Sequence, residues 1–213
     1  MNASFVRKIK ENKSDAYSFY FLPSKKLRYQ PGQFTELTLP GVGKHWFTIS
    51  SDPTPNEISI TTRLTGSEYK KTLDQLQVND TVQIAEPMGD FVLPKDQSTP
   101  IILVAGGIGI TPYLSILKNL QLMGGDYKIS LIYAVKSSKD LIDISQYKGL
   151  LKSYKEVIGK LDSSLIYSKA QKLVNPLIYI SGPESMVESL INDLETKGIN
   201  KSRLVGDYFP GYK

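Results

Sequence analysis

Two segments about sixty residues apart hold the residue types best suited to chemistry: His45-Trp46-Phe47-Thr48-Ile49-Ser50-Ser51 and Ala105-Gly106-Gly107-Ile108-Gly109-Ile110-Thr111-Pro112. The first places aromatic and hydroxyl side chains on a strand that follows a Gly32-Gln33-Phe34 turn. The second is a glycine loop between an apolar strand and a helix. A third segment, Tyr179-Ile180-Ser181-Gly182-Pro183-Glu184-Ser185-Met186, repeats the strand-loop-helix design. Glycines let a ligand approach the backbone closely, and Pro112 is preorganised for a first helical turn. Helix starts carry unpaired N–H groups and the positive end of the helix dipole, which favour an anion. The same physics applies to the helix that opens after Gly66.

Composition narrows the chemistry further. The chain has no cysteine and one histidine. A disulfide framework, a thiolate nucleophile and a cysteine-held iron–sulfur cluster are therefore excluded, and a zinc site lacks the ligands it usually needs. No metal site is expected, and redox chemistry would have to sit on an organic cofactor. The net charge of +5 is spread along the chain, in small clusters such as Lys8–Lys10, Lys25–Arg28 and Lys70-Lys71. Such a charge suits a solvated surface, and it also suits attraction of phosphates and of an acidic partner. No motif interleaves aromatics with basic residues as nucleic-acid binding would require.

In this order the segments resemble the ferredoxin–NADP reductase superfamily, in which a flavin-binding domain precedes a nicotinamide-nucleotide domain. The likeness runs from about Phe5 to Tyr212. It implies that Phe47 stacks on the flavin ring, that the Thr48 hydroxyl approaches its N5 atom, and that His45 occupies the place of a pyrophosphate-binding arginine. Trp46 lies within the same flavin segment. A mostly neutral imidazole is a weaker phosphate clamp than arginine, so Lys70 or Arg63 could supply the missing charge. Thr62, Arg63 and Ser67, with the backbone of Tyr69, Lys70, Lys71 and Thr72, complete the implied flavin site.

For the nicotinamide nucleotide the resemblance implies Gly106, Gly107, Gly109, Thr111 and Pro112 on one loop and Ser181, Gly182, Pro183 and Met186 on another. Ser181 stands where relatives usually have a cysteine near the reacting carbon. Thr48, Thr111 and Ser181 are thus the implied catalytic positions. Lys136 and Ser137, with Lys139 nearby, follow the second strand of this domain, where relatives often carry an arginine for the extra phosphate of NADPH. Lysine is a point charge and not a fork, so NADPH is only slightly favoured over NADH. The aromatic C-terminus offers Phe209, and after it Tyr212, to cover the flavin.

The elements that must position these residues divide at a polar, proline-bracketed stretch, 94–100. Before it, short alternating or apolar runs at 3–9, 16–22, 33–39, 46–50, 57–63 and 81–86 predict an antiparallel β-barrel. One helix, 68–75, interrupts them. After it the rhythm becomes strand and helix in turn: strands at 101–105, 129–134, 157–161, 177–181 and 203–208, helices at 113–123, 141–154 and 184–197. That pattern predicts a parallel sheet with helices on both faces. The expected domains are residues 1–96, binding flavin, and 97–213, binding NAD(P). A chain of 213 residues accommodates two such cores.

The reading is a flavin oxidoreductase that transfers hydride from NAD(P)H to FAD and passes electrons to a separate acceptor. That acceptor would be a ferredoxin- or flavodoxin-type protein or a small molecule. FAD is preferred to FMN because the helix after Gly66 suits a diphosphate. Two alternatives stay open: an electron-transfer subunit of a larger complex, or a non-catalytic nucleotide-sensing module. No apolar run approaches the roughly 20 residues of a membrane span, and the N-terminus lacks the apolar core of a signal peptide. A cytoplasmic protein is expected; its oligomeric state is left open.

Overall fold

A computed structural model describes residues 1–12 and 14–208. The chain forms two compact units. One comprises Met1–Leu93 with Thr111–Asn119, the other Pro94–Ile110 with the chain from Leu120 onward.

The first unit is built on a six-stranded antiparallel sheet in the order β4-β3-β6-β1-β2-β5. Its strands are β1 (Asn2–Lys10), β2 (Ala16–Pro23), β3 (Phe34–Leu39), β4 (Gly43–Thr48), β5 (Ile58–Arg63) and β6 (Thr81–Ile84). The two outer strands meet just past the end of β4. Ile49 bridges Ile60, and the Ser50 N–H donates to the Ser59 carbonyl at 2.8 Å. Closure of this kind removes the exposed edges that an open sheet would leave. Alternation puts Phe5, Phe19, Phe21, Leu37 and Ile60 into one buried core. The fully buried hydroxyls of Ser18, Ser50 and Ser59 bond to one another or to Thr61, so they are not left unsatisfied.

Helix α1 (Glu68–Gln75) lies where its spacing predicts. Ser67 caps it, accepting from the Lys70 N–H, and Tyr69 and Leu73 are buried on one face.

The second unit contains a five-stranded, wholly parallel sheet in the order β11-β10-β7-β8-β9. The strands are β7 (Ile101–Gly106), β8 (Ile129–Val135), β9 (Ser153–Ile158), β10 (Leu177–Ser181) and β11 (Leu204–Asp207). Strands β7 and β8 are buried along their whole length, as a sheet covered on both faces requires. Helices α3 (Ser163–Ala170) and α4 (Glu184–Thr196) pack into one core with Ile102, Val104, Ile178 and Ile180. Helix α2 (Thr111–Met123) follows β7 through a single 3-10 turn, Gly107–Ile110.

The expected helix at 141–154 is not formed. Asp143 accepts from the Ser145 N–H, residues Ser145–Leu150 make 3-10 turns, and the chain is extended again from Ser153. Only Ile142, Ile144 and Tyr147 of that stretch reach the core, too little apolar surface to hold an α-helix against the sheet. The helix that follows β9 is instead α3, capped by Asp162.

Candidate functional site

In the barrel unit the site grows from the end of β4. Pairing with β3 sets Leu37 opposite His45 and Thr35 opposite Phe47. His45 and Phe47 therefore share one face of the strand, while Trp46 points to the other. Trp46 is 36% exposed and stands edge-on to Phe34, with ring centroids 5.5 Å apart. Thr48, the last residue of β4, is buried.

The first turn of α1 closes over the His45–Phe47 face. The Tyr69 ring lies 4.2 Å from His45, edge to face, and 6.0 Å from Phe47 with 30° between the planes. The Tyr69 hydroxyl donates to the Leu37 carbonyl at 2.7 Å and so ties the helix to the sheet. Lys70 turns inward. Its Nζ donates to Thr62 Oγ1 on β5 at 2.7 Å and sits 4.3 Å from the centroid of the Phe47 ring. Lys70 is 6% exposed and Phe47 7%, so the face that was expected to be open for stacking is enclosed. Burial pushes the Lys70 ammonium down to about 7. His45 is also lowered, by desolvation first and by the Lys70 charge second.

His45, Phe47, Thr62, Tyr69 and Lys70 thus come together, beside the capped start of α1. Arg63 is half-buried, Lys71 is exposed, Thr72 is intermediate and Ser67 is occupied as the helix cap. These residues fit an anionic nucleotide group. The ammonium is buried on an aromatic ring with a hydroxyl as its hydrogen-bond partner, and among the described residues no carboxylate lies close enough to offset its burial. A cation held that way calls for a negative charge.

In the second unit the site lies at the C-terminal ends of β7 and β10. These strands are neighbours in the sheet although the chain leaves β7 toward β8 on its other side. That is the switch point at which parallel sheets bind ligands. Here shape is set by absent side chains. Gly107 has φ +55°, a conformation few other residues adopt. A Cβ on Gly109 would lie 2.3 Å from the Ser181 carbonyl oxygen. A Cβ on Gly106 or on Gly182 would lie 2.4 or 2.6 Å from the end of the Met186 side chain. Met186 belongs to the first turn of α4, which Pro183 begins. The cradle is therefore two glycines on which the Met186 thioether packs, at the strand ends where parallel sheets bind ligands.

Ser181 ends β10 in register with Ala105 of β7 and Asp207 of β11. Its hydroxyl donates to Asp207 Oδ2 at 3.3 Å. Burial raises the Asp207 carboxyl to about 6, against the lowering effect of that hydrogen bond. Sequence reasoning missed Asp207. The available signal was an acid at the end of an apolar strand, level with Ser181.

Thr111 and Pro112 open α2 and are buried, with no side-chain cap at the preceding Ile110. Lys136 and Ser137 follow β8 on an exposed turn. The Ser137 hydroxyl accepts from the Lys139 N–H, and the Ser137 N–H donates to the Asp140 carboxylate at 3.1 Å. Serine and acid thus close the turn on which the phosphate-selecting charges were expected. Phe209 and Tyr212 lie outside the described residues. Among the described residues no group of three or more His, Cys, Asp or Glu could hold a metal, and no helix is long and apolar enough to cross a membrane.

Residues 103–172 match the family model described as an oxidoreductase NAD-binding domain. The chain is 27% identical to the toluate 1,2-dioxygenase electron transfer component of Pseudomonas putida, over 97% of its own length and 66% of the relative's. It is 29% identical to flavohemoprotein B of Dictyostelium discoideum, over 96% of its length and 58% of the relative's. It therefore spans about three-fifths to two-thirds of these relatives. Among solved structures, ferredoxin-NADP+ reductase from Plasmodium falciparum superposes with a TM-score of 0.80 at 20% identity, covering 98% of this chain and 95% of that one.

Proposed function

The chain belongs to the ferredoxin–NADP reductase superfamily, and from that premise we propose that it is a flavin-dependent oxidoreductase. It would take reducing equivalents from NAD(P)H onto FAD and hand electrons to a separate acceptor, a protein or a small molecule. The observation that carries this is the cradle at the β7–β10 switch point, with Gly106 and Gly182 beneath Met186. The cradle lies in a chain whose other unit buries a cation on an aromatic ring. FAD, when bound, supplies the redox chemistry, because a flavin accepts two electrons and can release them singly.

The residues of this chain do the rest. In the flavin-binding domain, residues 1–96, the α1 amides and His45 hold the diphosphate. Phe47 and Tyr69 back the pocket in which Lys70 lies, and Thr48 presents its hydroxyl to the flavin. In the nucleotide unit, residues 97–213, the Gly106–Gly109 turn and Gly182 bring backbone against the nicotinamide nucleotide. Ser181 orients its ring, and Asp207 fixes the Ser181 hydroxyl. Lys136 and Lys139 add positive charge for NADPH, although Asp140 in the same turn offsets it.

Purified protein should be yellow and should release FAD on denaturation. Under NADH or NADPH it should reduce ferricyanide, and one of flavodoxin, ferredoxin or a ferric chelate should serve as a further acceptor. Colourless protein that takes up no flavin when FAD is added would overturn the reading.

A further inference from the structure

Lys70 is the buried cation of the barrel, and its surroundings do not neutralise it. Three donors on Nζ meet one hydroxyl, that of Thr62, and one ring face, that of Phe47. The groups packed against it come from three elements. Strand β4 contributes His45, whose ionisation Lys70 opposes. Strand β5 contributes Thr62, with Arg63 next in the chain. Helix α1 contributes Tyr69, whose hydroxyl is already given to Leu37, and carries Glu68, Lys71 and Asp74 on its exposed side. Asp74 pairs with Lys8 on β1. Two basic groups thus share one aromatic pocket beside a helix start, and among the described residues no acid enters it.

Resting on the function proposed above, we propose that Lys70 binds the diphosphate of the flavin nucleotide with its side chain, and that flavin binding draws a proton onto Lys70. The backbone alone cannot explain the burial, because the amides of α1 would hold an anion equally well with a small residue at this position. Burying an ammonium is unfavourable unless it gains a partner of opposite charge. In the free protein burial leaves Lys70 with a pKa of about 7. Above neutral pH it is largely uncharged, and an arriving diphosphate restores the charge. FAD affinity must then weaken as pH rises above 7, approaching tenfold per unit while the bound form stays protonated. Riboflavin, which has no phosphate, lacks that dependence.

The test compares FAD with riboflavin on wild-type protein and on Lys70→Met, with binding followed by flavin fluorescence and by calorimetry. Lys70→Met should weaken FAD by about tenfold to a hundredfold, the range of a hydrogen bond to a charged group. Riboflavin affinity should be unchanged. At pH 8, calorimetry in two buffers of different ionisation enthalpy should show close to one proton taken up per FAD by the wild type, and less by the variant. Lys70→Arg should keep FAD affinity and lose its pH dependence between 7 and 9. Equal weakening of FAD and riboflavin in Lys70→Met, or FAD binding by the wild type without proton uptake, would overturn the proposal while leaving the flavoprotein reading intact. If Lys70→Met fails to fold, the wild-type proton uptake and the FAD–riboflavin difference in pH dependence still decide. Wild-type protein that binds neither ligand overturns the flavoprotein reading itself.

Discussion

In the barrel unit the candidate site consists of side chains: an ammonium, an imidazole and two aromatic rings gathered from β4, β5 and α1. In the parallel-sheet unit it consists mostly of backbone: three glycines, a carbonyl and a thioether at the ends of β7 and β10. The first surface is tuned by charge and therefore by pH. The second is tuned by clearance and responds to volume. Two nucleotides bound by one chain would meet two different kinds of selectivity. The single tryptophan, Trp46, lies in the barrel, so its fluorescence reports that unit, while amide exchange of β7 and β10 reports the other.

The contrast breaks most sharply at Gly109. A methyl group there meets the Ser181 carbonyl at 2.3 Å, an atom of the main chain that cannot rotate away. Gly109→Ala should cost about 3 kcal/mol, as an overpacked core site does, and should lower protection of Ile102–Ala105 and Ile178–Ile180. Gly106→Ala clashes with the flexible end of Met186 and otherwise touches Pro183 at 3.4 Å. It should cost about 1 kcal/mol, and Met186→Ala in the same chain should remove most of that cost. Equal costs for the two glycine substitutions would show that the turn yields as easily as the side chain.

The next effect is electrostatic and belongs to the barrel. Lys70 titrates at about 7 when folded and near the ordinary lysine value of 10.5 when unfolded. Between those values the unfolded chain binds more protons, so the stability of this unit rises with pH across that window, by at most about 1.4 kcal/mol per unit. Lys70→Met should abolish the slope. Denaturant midpoints followed by Trp46 fluorescence from pH 6.5 to 9 test this, and a slope of the same size in the variant would assign it to another group.

Asp207 supplies the opposite sign in the other unit. Its carboxyl is raised from 3.8 to about 6, so the folded chain binds more protons between those values. The stability this brings is present below pH 4 and is lost as pH rises through 6. The loss should be about 1–2 kcal/mol, less than for Lys70 because Asp207 is less buried. Asp207→Asn should flatten it, with amide exchange of β10 as the readout. One unit thus loosens with rising pH where the other, at higher pH, tightens.

How far the sequence foretold this follows the same division. Helix α1 was legible to the residue, because Ser67, Glu68, Tyr69 and Leu73 supply cap, charge and spacing together. The stretch 141–154 misled because its apolar residues suit 3-10 turns and a loop as well as a helix, while the short α3 carries little amphipathic pattern. The glycine turns announced a close approach but not what approaches. For Gly109 it is the Ser181 carbonyl, a contact made across more than seventy residues of chain. Lys70 was readable as a positive charge near a helix start. Its burial on Phe47 was not, since the pairing of β4 with β3 and the seat of α1 decide it. Asp207 was hidden for a related reason. It becomes part of the site only through the parallel register that sets it beside Ser181.

The smallest expected effect lies at that pair. The Ser181 hydroxyl donates to Asp207 Oδ2 over 3.3 Å, a long bond, and it favours the charged carboxylate. Ser181→Ala removes it, so the Asp207 titration should move further up, in the direction burial already drives it. The accompanying loss of stability at neutral pH should stay below about 1 kcal/mol. Carbon-13 chemical shifts of the Asp207 carboxyl, followed from pH 4 to 8, give the shift directly. In the proposed reaction the same substitution should slow flavin reduction by NAD(P)H and leave FAD content unchanged, because every residue assigned to the flavin diphosphate belongs to the other unit. A slower reduction with an unmoved Asp207 titration would mean that Ser181 acts on the nicotinamide directly. An upward titration with unchanged reduction would make the pair a structural tie between β10 and β11.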